Sequence, residues 1–250
     1  MFNLIKLEFY KLKRQDILKV LLLIVIGISA FSAFSEIRIL MSDGLRGSGK
    51  EGYTNGFRDM FMLFVSGIFA GFYIGSDFSN KTIQSQLFQG YKRLDIIISK
   101  ALVFFIGTSI IMLLYPITVS IIYTFKYGWG EPFTITSVLF ILRVAALGII
   151  LNVGTTSIFV LLAFLCKDIP KTICTCFAFP VLISAISSTL GKAVPVIGDL
   201  LRFTTLAQMG SIIDDIILPS TVLTVFLTAM ITVIIVISLA NLLFAKAEVK

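Results

Sequence analysis

Residues 43–52, DGLRGSGKEG, come close to a nucleotide-binding signature. Gly44, Gly49 and Lys50 have the spacing of the phosphate-binding loop G-x-x-x-x-G-K-[ST]. Position 51 is Glu, however, where that loop needs a Ser or Thr hydroxyl for magnesium, and a carboxylate there repels phosphate. We therefore interpret the segment as a flexible, glycine-rich surface loop and predict no ATP binding through it.

Residues for other catalytic chemistry are equally scarce. The chain has no His, which removes Ser-His and Cys-His pairs and a common metal ligand. Cys166, Cys174 and Cys176 are too few for a closed zinc site, and we interpret them as small apolar packing residues. The adjacent carboxylates of Asp214 and Asp215 would point different ways on a helix, which favours a solvated surface. The sequence therefore predicts no catalytic residue and no metal site, and it disfavours an enzyme.

The composition indicates that much of the chain lies in lipid. Of its 250 residues, 57% are hydrophobic and 14% are charged, whereas a soluble domain carries about 25% charged residues. Six apolar stretches reach the roughly 20 residues that cross a bilayer. They lie near 18–38, 58–76, 97–125, 136–166, 172–190 and 219–244. We predict one all-α integral membrane domain over residues 1–250, with four transmembrane helices within 18–166 and two within 172–244.

The positive residues predict how these spans are oriented. If the N-terminus lies inside, the inner segments carry 13 Lys and Arg residues and the outer segments carry 7. Because cytoplasmic loops favour Lys and Arg, we expect both termini in the cytoplasm of a cell-membrane protein. The net charge of +7 then reflects orientation and does not indicate nucleic acid as a partner.

Residues 1–16 have the periodicity of an amphipathic helix. The apolar residues, at spacings of three and four, are Phe2, Ile5, Phe9 and Leu12. With the cations of Lys13 and Arg14, this interfacial helix would rest on lipid at the inner surface of the membrane. The alternative is a positive flank that only sets orientation.

A second helix is predicted over 79–90, between spans two and three. Ser79 or Asn80 can cap its start, and Gly90 can end it in the left-handed region. Its short apolar stripe consists of Ile83, Leu87, Phe88 and Tyr91. Such a stripe is too small for a domain of its own but large enough to insert into a cleft on another protein. The alternative is an ordinary turn lying on the membrane.

Span two carries a face of small residues. Gly67, Gly71 and Gly75 repeat every four residues, as two overlapping G-x-x-x-G units that let helices approach closely in lipid. We expect this face to contact another helix, within the subunit or in a second one.

Span four carries a polar cluster within its apolar run. Its members are Asn152, Thr155, Thr156 and Ser157. They either line a transport route or bond to their own backbone and to neighbouring helices.

The last outer segment, 191–219, is too apolar for a free loop, and we expect one or two short helices that re-enter toward the membrane. Arg143, near the outer third of span four, would reach the membrane surface or pair with an outer acid such as Glu131.

Taken with these features, the chain resembles the membrane subunit of six-span ABC exporters that lack a fused ATPase. The resemblance covers the whole chain and rests on the N-terminal LEFYKLKR, the six spans and the loop DFSNKTIQSQLFQGYKRLDIIISK. The loop positions that match the family pattern are Asp77, Thr82, Ile83, Gly90, Arg93 and Lys100. Within that family the chain resembles short permeases of peptide exporters, such as the phenol-soluble modulin exporter and the bacitracin and lantibiotic resistance systems.

The resemblance implies a mechanism and a set of partners. Two permeases, the same chain or paralogues, would pair with two copies of a separate ATPase subunit that holds ATP and magnesium, so this chain would need no cofactor. The helix at 79–90 would couple ATPase closure to the spans, and the segment 191–219 would cap the exit of the path. The implied coupling residues are Asp77, Thr82, Ile83, Gln84, Leu87, Phe88, Gly90, Tyr91 and Arg93.

The expected cargo is an amphipathic molecule, such as a cytolytic or antimicrobial peptide, because the spans are nearly uncharged. The alternative is a stand-alone channel or secondary carrier. A carrier often has internal repeats and charges in the middle of its spans, and the sequence has no clear repeat.

Overall fold

Six helices in the described part of the chain are long and apolar enough to cross a bilayer, as predicted. The computed structural model describes residues 2–194, 198, 201, 203–214 and 217–246. The spans are α2 (Asp16–Ser42), α4 (Phe61–Ser79), α6 (Arg93–Tyr127), α7 (Ile135–Cys166), α8 (Ile169–Ala193) and α10 (Pro219–Lys246). The shorter helices are α1 (Phe2–Arg14), α3 (Gly49–Arg58), α5 (Thr82–Phe88) and α9 (Thr205–Gln208). No strand occurs within these described ranges, so the predicted all-α membrane fold is confirmed.

The centre of the bundle is formed by α4, α6 and α7, whose side chains are mostly buried. The three remaining spans lie at the periphery: α2 packs along α6, α8 along α4, and α10 along α7. Few side chains of α2, α8 and α10 are buried, and the large apolar ones exposed along these spans suit lipid or a second subunit. Helices α1 and α5 lie at one end of the bundle, called here the α1 side, and α3 lies at the opposite end, the α3 side.

The glycine-rich segment on the α3 side is partly a helix, so the interpretation as a flexible loop was wrong from Gly49 onward. Ser48 and Glu51 form a capping box: the Ser48 hydroxyl accepts from the Glu51 N–H at 3.2 Å, and the Glu51 carboxylate accepts from the Ser48 N–H at 3.0 Å. Glu51, the residue that departs from the phosphate-binding pattern, therefore helps to cap the start of a helix. Gly52 and Gly56 bring this helix against α6, where a Cβ on Gly56 would lie 2.6 Å from the Cα of Pro116.

The glycine face of span two packs against span five of the same chain. A Cβ on Gly67 would lie 2.8 Å from the Cβ of Cys176, and one on Gly71 would lie 2.5 Å from Cγ1 of Ile173. Gly75 approaches the backbone of Asp168, where a Cβ would lie 3.3 Å from the carbonyl oxygen. A π-helical turn occupies Gly71–Gly75, inside the α-helical span. Glycine is required along this face because the neighbouring helix leaves no room for a side chain.

Replacing Gly71 by Leu should therefore destabilise the bundle. We expect the free energy of unfolding to fall by about 1–3 kcal/mol or more, since the added atoms overlap Ile173. Thermal unfolding of the purified chain in mild detergent measures the effect. Gly27→Leu is the matched control, because a Cβ at Gly27 in span one meets no atom within 4 Å. Equal melting temperatures for the two variants would contradict the packing role.

Candidate functional site at the N-terminal helix

A cluster of charged and polar side chains lies buried on the α1 side, where four helices meet. We call this the charge cluster, and its members are Glu8, Lys11, Tyr73, Asp77, Gln86 and Lys100. Glu8 and Lys11 belong to α1, Tyr73 and Asp77 to span two, and Gln86 and Lys100 to α5 and span three. Glu8 and Lys100 are 0% exposed, although charged side chains rarely lie fully inside a protein.

Two ammonium groups and two carboxylates balance one another inside the cluster. The Lys100 ammonium donates to Oε1 of Glu8 at 2.6 Å and to Oδ2 of Asp77. The Lys11 ammonium donates to Oδ1 of Asp77 at 2.5 Å. Burying charges is costly unless each one has a partner and its hydrogen bonds. The alternating pairs meet that condition and leave the cluster with no net charge.

Neutral groups complete the hydrogen bonding. The Tyr73 hydroxyl donates to Oε2 of Glu8 at 2.9 Å, and the Gln86 amide donates to Oε1 of Glu8 at 3.4 Å. Lys11 also donates to the carbonyl oxygen of Tyr73 at 3.1 Å, within the π turn. Burial lowers the pKa of Lys11 below its usual value, although the Asp77 carboxylate opposes this. The Asp77 carboxylate therefore offsets part of the cost of burying the Lys11 charge.

The N-terminal helix uses two faces. Leu4, Glu8 and Leu12, one turn apart, are buried against the bundle, whereas Phe2 and Phe9 are exposed. The predicted apolar stripe of this helix is therefore divided between the two faces. Leu12 packs into the core, and Ile5 is half-buried between the buried and the exposed face. Lys13 and Arg14 are exposed, as a membrane-surface helix needs. Sequence reasoning missed Glu8, and the signal that could have found it is a carboxylate placed between two leucines at i−4 and i+4.

The short helix α5 starts later than predicted. Residues Ser76–Ser79 continue span two, so neither Ser79 nor Asn80 caps α5, and the chain reverses at Lys81 in the left-handed conformation (φ 56°). Gly90 ends the segment at φ 86°, in the left-handed region as expected.

The predicted apolar stripe of α5 has a buried part and an exposed part. Ile83 is buried, and Leu87 and Tyr91 pack against the core. Phe88 is 90% exposed. Thr82 and Gln84 are half-buried. Of the four apolar residues of the stripe, Phe88 therefore remains for a partner to contact.

Arg93 ties the end of the α5 loop to span six. Its guanidinium donates to the carbonyl oxygen of Phe244 at 2.5 Å and lies 5.4 Å from the centre of the Phe244 ring. The loop between spans two and three is thus anchored at both ends, by Asp77 in the charge cluster and by Arg93.

The polar cluster of span four is buried within the single chain. Thr156 and Ser157 donate to main-chain carbonyls of their own helix, both at 2.7 Å. Asn152 donates to Thr108 of span three at 3.4 Å, and Thr155 donates to the Thr205 hydroxyl at 2.8 Å. These contacts are of the second kind expected above, namely bonds to the helix's own backbone and to neighbouring segments. The assignment of these four residues to a substrate path stays a prediction.

Part of the re-entrant segment 191–219 packs between spans four and six. Helix α9 is one short helix there, and Gln208 accepts from Thr228 of span six at 2.9 Å. Arg143 donates to the carbonyl oxygen of Asp214 at 2.5 Å, while Glu131 pairs with Lys50 at 3.3 Å. Residues 195–197, 199–200, 202 and 215–216 of this segment lie outside the described residues, as does the Asp215 expected at the surface.

The described helices form a multi-pass membrane bundle: six spans, a helix seated on one end, and a short helix hydrogen-bonded to it through the buried Glu8. Comparison with known families agrees, since residues 4–180 match the family model described as ABC-2 family transporter protein. The match covers more than half of the chain, so the chain belongs to the ABC-2 transporter family, whose membrane subunits work with ATPase subunits. No curated protein matched the chain.

Removing one carboxylate from the charge cluster should be costly. Glu8→Gln leaves a buried excess positive charge, and we expect a loss of about 3–5 kcal/mol in the free energy of unfolding. Thermal or chemical unfolding in detergent measures it. Adding Lys100→Met to Glu8→Gln restores charge balance and should recover part of the loss.

Asp16→Asn serves as the matched control. Asp16 pairs with Lys19 at 2.9 Å, but both side chains are exposed, so the variant should cost only about 0–1 kcal/mol. A Glu8→Gln variant as stable as Asp16→Asn would contradict the structural role of the cluster.

Proposed function

We propose that this ABC permease is the transmembrane subunit of an exporter whose ATPase is a separate chain. Two copies of the ATPase would act on two permeases, and the cargo would be an amphipathic molecule such as a cytolytic or antimicrobial peptide. The observation that carries the proposal is the charge cluster, where α1, α5 and two central spans meet beside the exposed Phe88. ATP and magnesium would bind to the ATPase.

Phe88 is the contact that the ATPase would use. An aromatic side chain exposed at the end of a short helix is costly in water and favourable in a partner's apolar cleft. Its neighbours Ser85 and Gln89 are exposed and polar, as expected for the rim of such a contact. The opposite face of α5 is held by Ile83, so a push on Phe88 moves the helix as a unit.

The charge cluster would pass that movement to the spans. Gln86 of α5 and Lys100 of span three share Oε1 of Glu8, and Lys100 also binds Asp77 at the end of span two. Because a broken buried ion pair is much less favourable than an intact one, α5, α1 and these two spans are expected to move together. Packed networks of this kind can carry energetic coupling between distant sites.

The proposed orientation puts the α1 side in the cytoplasm of the cell membrane. The bias of Lys and Arg toward this side supports it. So do the exposed side chains of α1, where Phe2 and Phe9 can enter lipid while Lys13 and Arg14 face anionic headgroups. Both termini would then be cytoplasmic, and the re-entrant segment would lie at the outer end.

We infer the cargo class from the burial of the polar residues of span four. A permease for ions or small polar solutes needs charged or polar groups open to a path, whereas the polar cluster of span four is buried and bonded in the single chain. An apolar surface between two permeases suits an amphipathic cargo better.

Stimulation of ATP hydrolysis tests the cargo. The reconstituted permease–ATPase complex should hydrolyse ATP faster when amphipathic helical peptides are added, and it should respond little to scrambled peptides of equal charge that lack an apolar face. The hydrolysis rate is the measurement. No stimulation by any amphipathic peptide would contradict this cargo class while leaving the permease assignment intact.

Binding of the ATPase should depend on Phe88. The permease, expressed with the ATPase encoded beside it, should co-purify with vanadate-sensitive ATP hydrolysis, and Phe88→Ala should reduce the retained ATPase severalfold without changing the melting temperature. Phe31→Ala is the control, since Phe31 is also highly exposed but lies in span one. Leu87→Asp is less informative because Leu87 packs against the core.

Two outcomes would count against the docking proposal. If the chain purifies without any ATPase, a stand-alone channel or carrier becomes the better explanation. If Phe88→Ala retains as much ATPase as Phe31→Ala, the contact lies elsewhere on the α1 side.

A further inference from the structure

The only tryptophan of the chain, Trp129, separates two cavities on the α3 side. Its ring is buried under α3, where the Lys50 N–H donates to the Trp129 carbonyl at 3.3 Å. One cavity is an apolar cleft on the flank of the bundle. The other is a groove that contains cations at the end of the bundle. Both are lined by Trp129, so they meet at this residue.

The apolar cleft has a volume of about 430 Å³. Its walls are Ile117, Ile121 and Phe125 of α6 and Phe133 and Ile141 around the start of α7. Four of these five side chains are exposed, so the cleft is open to the surroundings of the span.

The polar groups in the cleft are already bonded and its height fits one lipid leaflet. The hydroxyls of Ser120 and Thr124 donate to main-chain carbonyls, at 2.9 and 2.7 Å. From Ile117 to Phe125 the helix rises about 12 Å at 1.5 Å per residue, close to the roughly 15 Å of one leaflet's hydrocarbon. An acyl chain therefore matches the cleft in length and in chemistry.

The groove on the other side of Trp129 has a volume of about 370 Å³. The Lys50 ammonium and the Arg143 guanidinium each lie 5.2 Å from the centre of the Phe140 ring. The groove continues into a wider part that adds Arg46 and Arg58. Carboxylates line it as well, namely Glu51, Glu131 and Asp214.

The ion pair in the groove can be exchanged for an anionic ligand. Lys50 binds Glu131 at 3.3 Å, and the Glu131 side chain is 65% exposed. The Lys50 side chain is 22% exposed, so water screens the pair only in part, but Glu131 lies on its open side, where a phosphate can take the place of the carboxylate. Among the described residues of the lining, four cations against three carboxylates leave a positive excess, which favours an anion.

We propose that one anionic phospholipid binds here, with an acyl chain in the apolar cleft and its phosphate in the groove beside Lys50. An apolar cleft and a positive groove that meet at one residue match the two ends of an amphiphile. A soluble anion would leave the cleft empty, and a zwitterionic lipid would bring a cation to a positive lining. The bound lipid would brace α3 against α6 and α7.

Trp129 itself reports on the site, because no other tryptophan contributes fluorescence. The full chain is reconstituted into vesicles of unlabelled zwitterionic lipid with rising mole fractions of phosphatidylglycerol brominated on its acyl chains, and in a parallel series with brominated phosphatidylcholine. We expect saturable quenching of Trp129, with phosphatidylglycerol effective at about fivefold lower mole fraction, the gain from one basic contact to an anionic headgroup. Lys50→Gln should reduce phosphatidylglycerol to the level of phosphatidylcholine.

Lys126→Gln is the matched control, since Lys126 is exposed at the same end of α6 but does not line the groove. It removes one charge and should keep the preference. Equal quenching by the two lipids would overturn the proposal, and so would an equal loss in Lys126→Gln, which indicates diffuse attraction. Displacement by soluble glycerophosphate would point to a free-anion site instead, and displacement by amphipathic anionic peptides to a cargo site.

Discussion

The ammonium of Lys100 is the interaction on which the α1 side depends. It lies fully buried near the start of span three and binds carboxylates from the N-terminal helix and from the end of span two. An unpaired ammonium in such a place would be too costly to keep. The N-terminal helix must therefore lie where it does, and the chain must end span two beside it. The short helix α5 is placed by the same requirement, because Gln86 bonds to the shared Glu8.

The opposite end of the bundle is built on a different constraint, the close approach of backbones. Gly52 and Gly56 let α3 touch α6 there. Van der Waals contact is the main attraction between helices in lipid, and glycine maximises it. The α1 side is therefore held by directional bonds between buried charges, and α3 is held on the other side by close packing against α6.

Particular residues explain which predictions succeeded. The six spans and the end of α5 at Gly90 depend on length, composition and a backbone angle, and these properties are local. The start of α5 was misplaced because Ser76–Ser79 extend span two, and an N-cap residue in sequence does not reveal that its helix has already begun. The segment at 49–58 was read as flexible because glycine alone suggests mobility, whereas glycines three and four residues apart on a capped helix form a contact face. Leu12 was assigned to the lipid-facing stripe of the N-terminal helix because periodicity cannot tell a face that meets lipid from one that meets protein.

The sequence by itself determined the membrane environment and the six helices, since both follow from residues near one another in the chain. The tertiary structure alone decided that Glu8, Asp77 and Lys100 form one buried cluster, that Phe88 is exposed while Leu87 is not, and that Trp129 separates two cavities. Glu8 and Lys100 are 92 positions apart, and Lys50 and Glu131 are 81 apart. No periodicity connects such pairs, because their partnership is set by which helices pack together and how each is rotated about its axis.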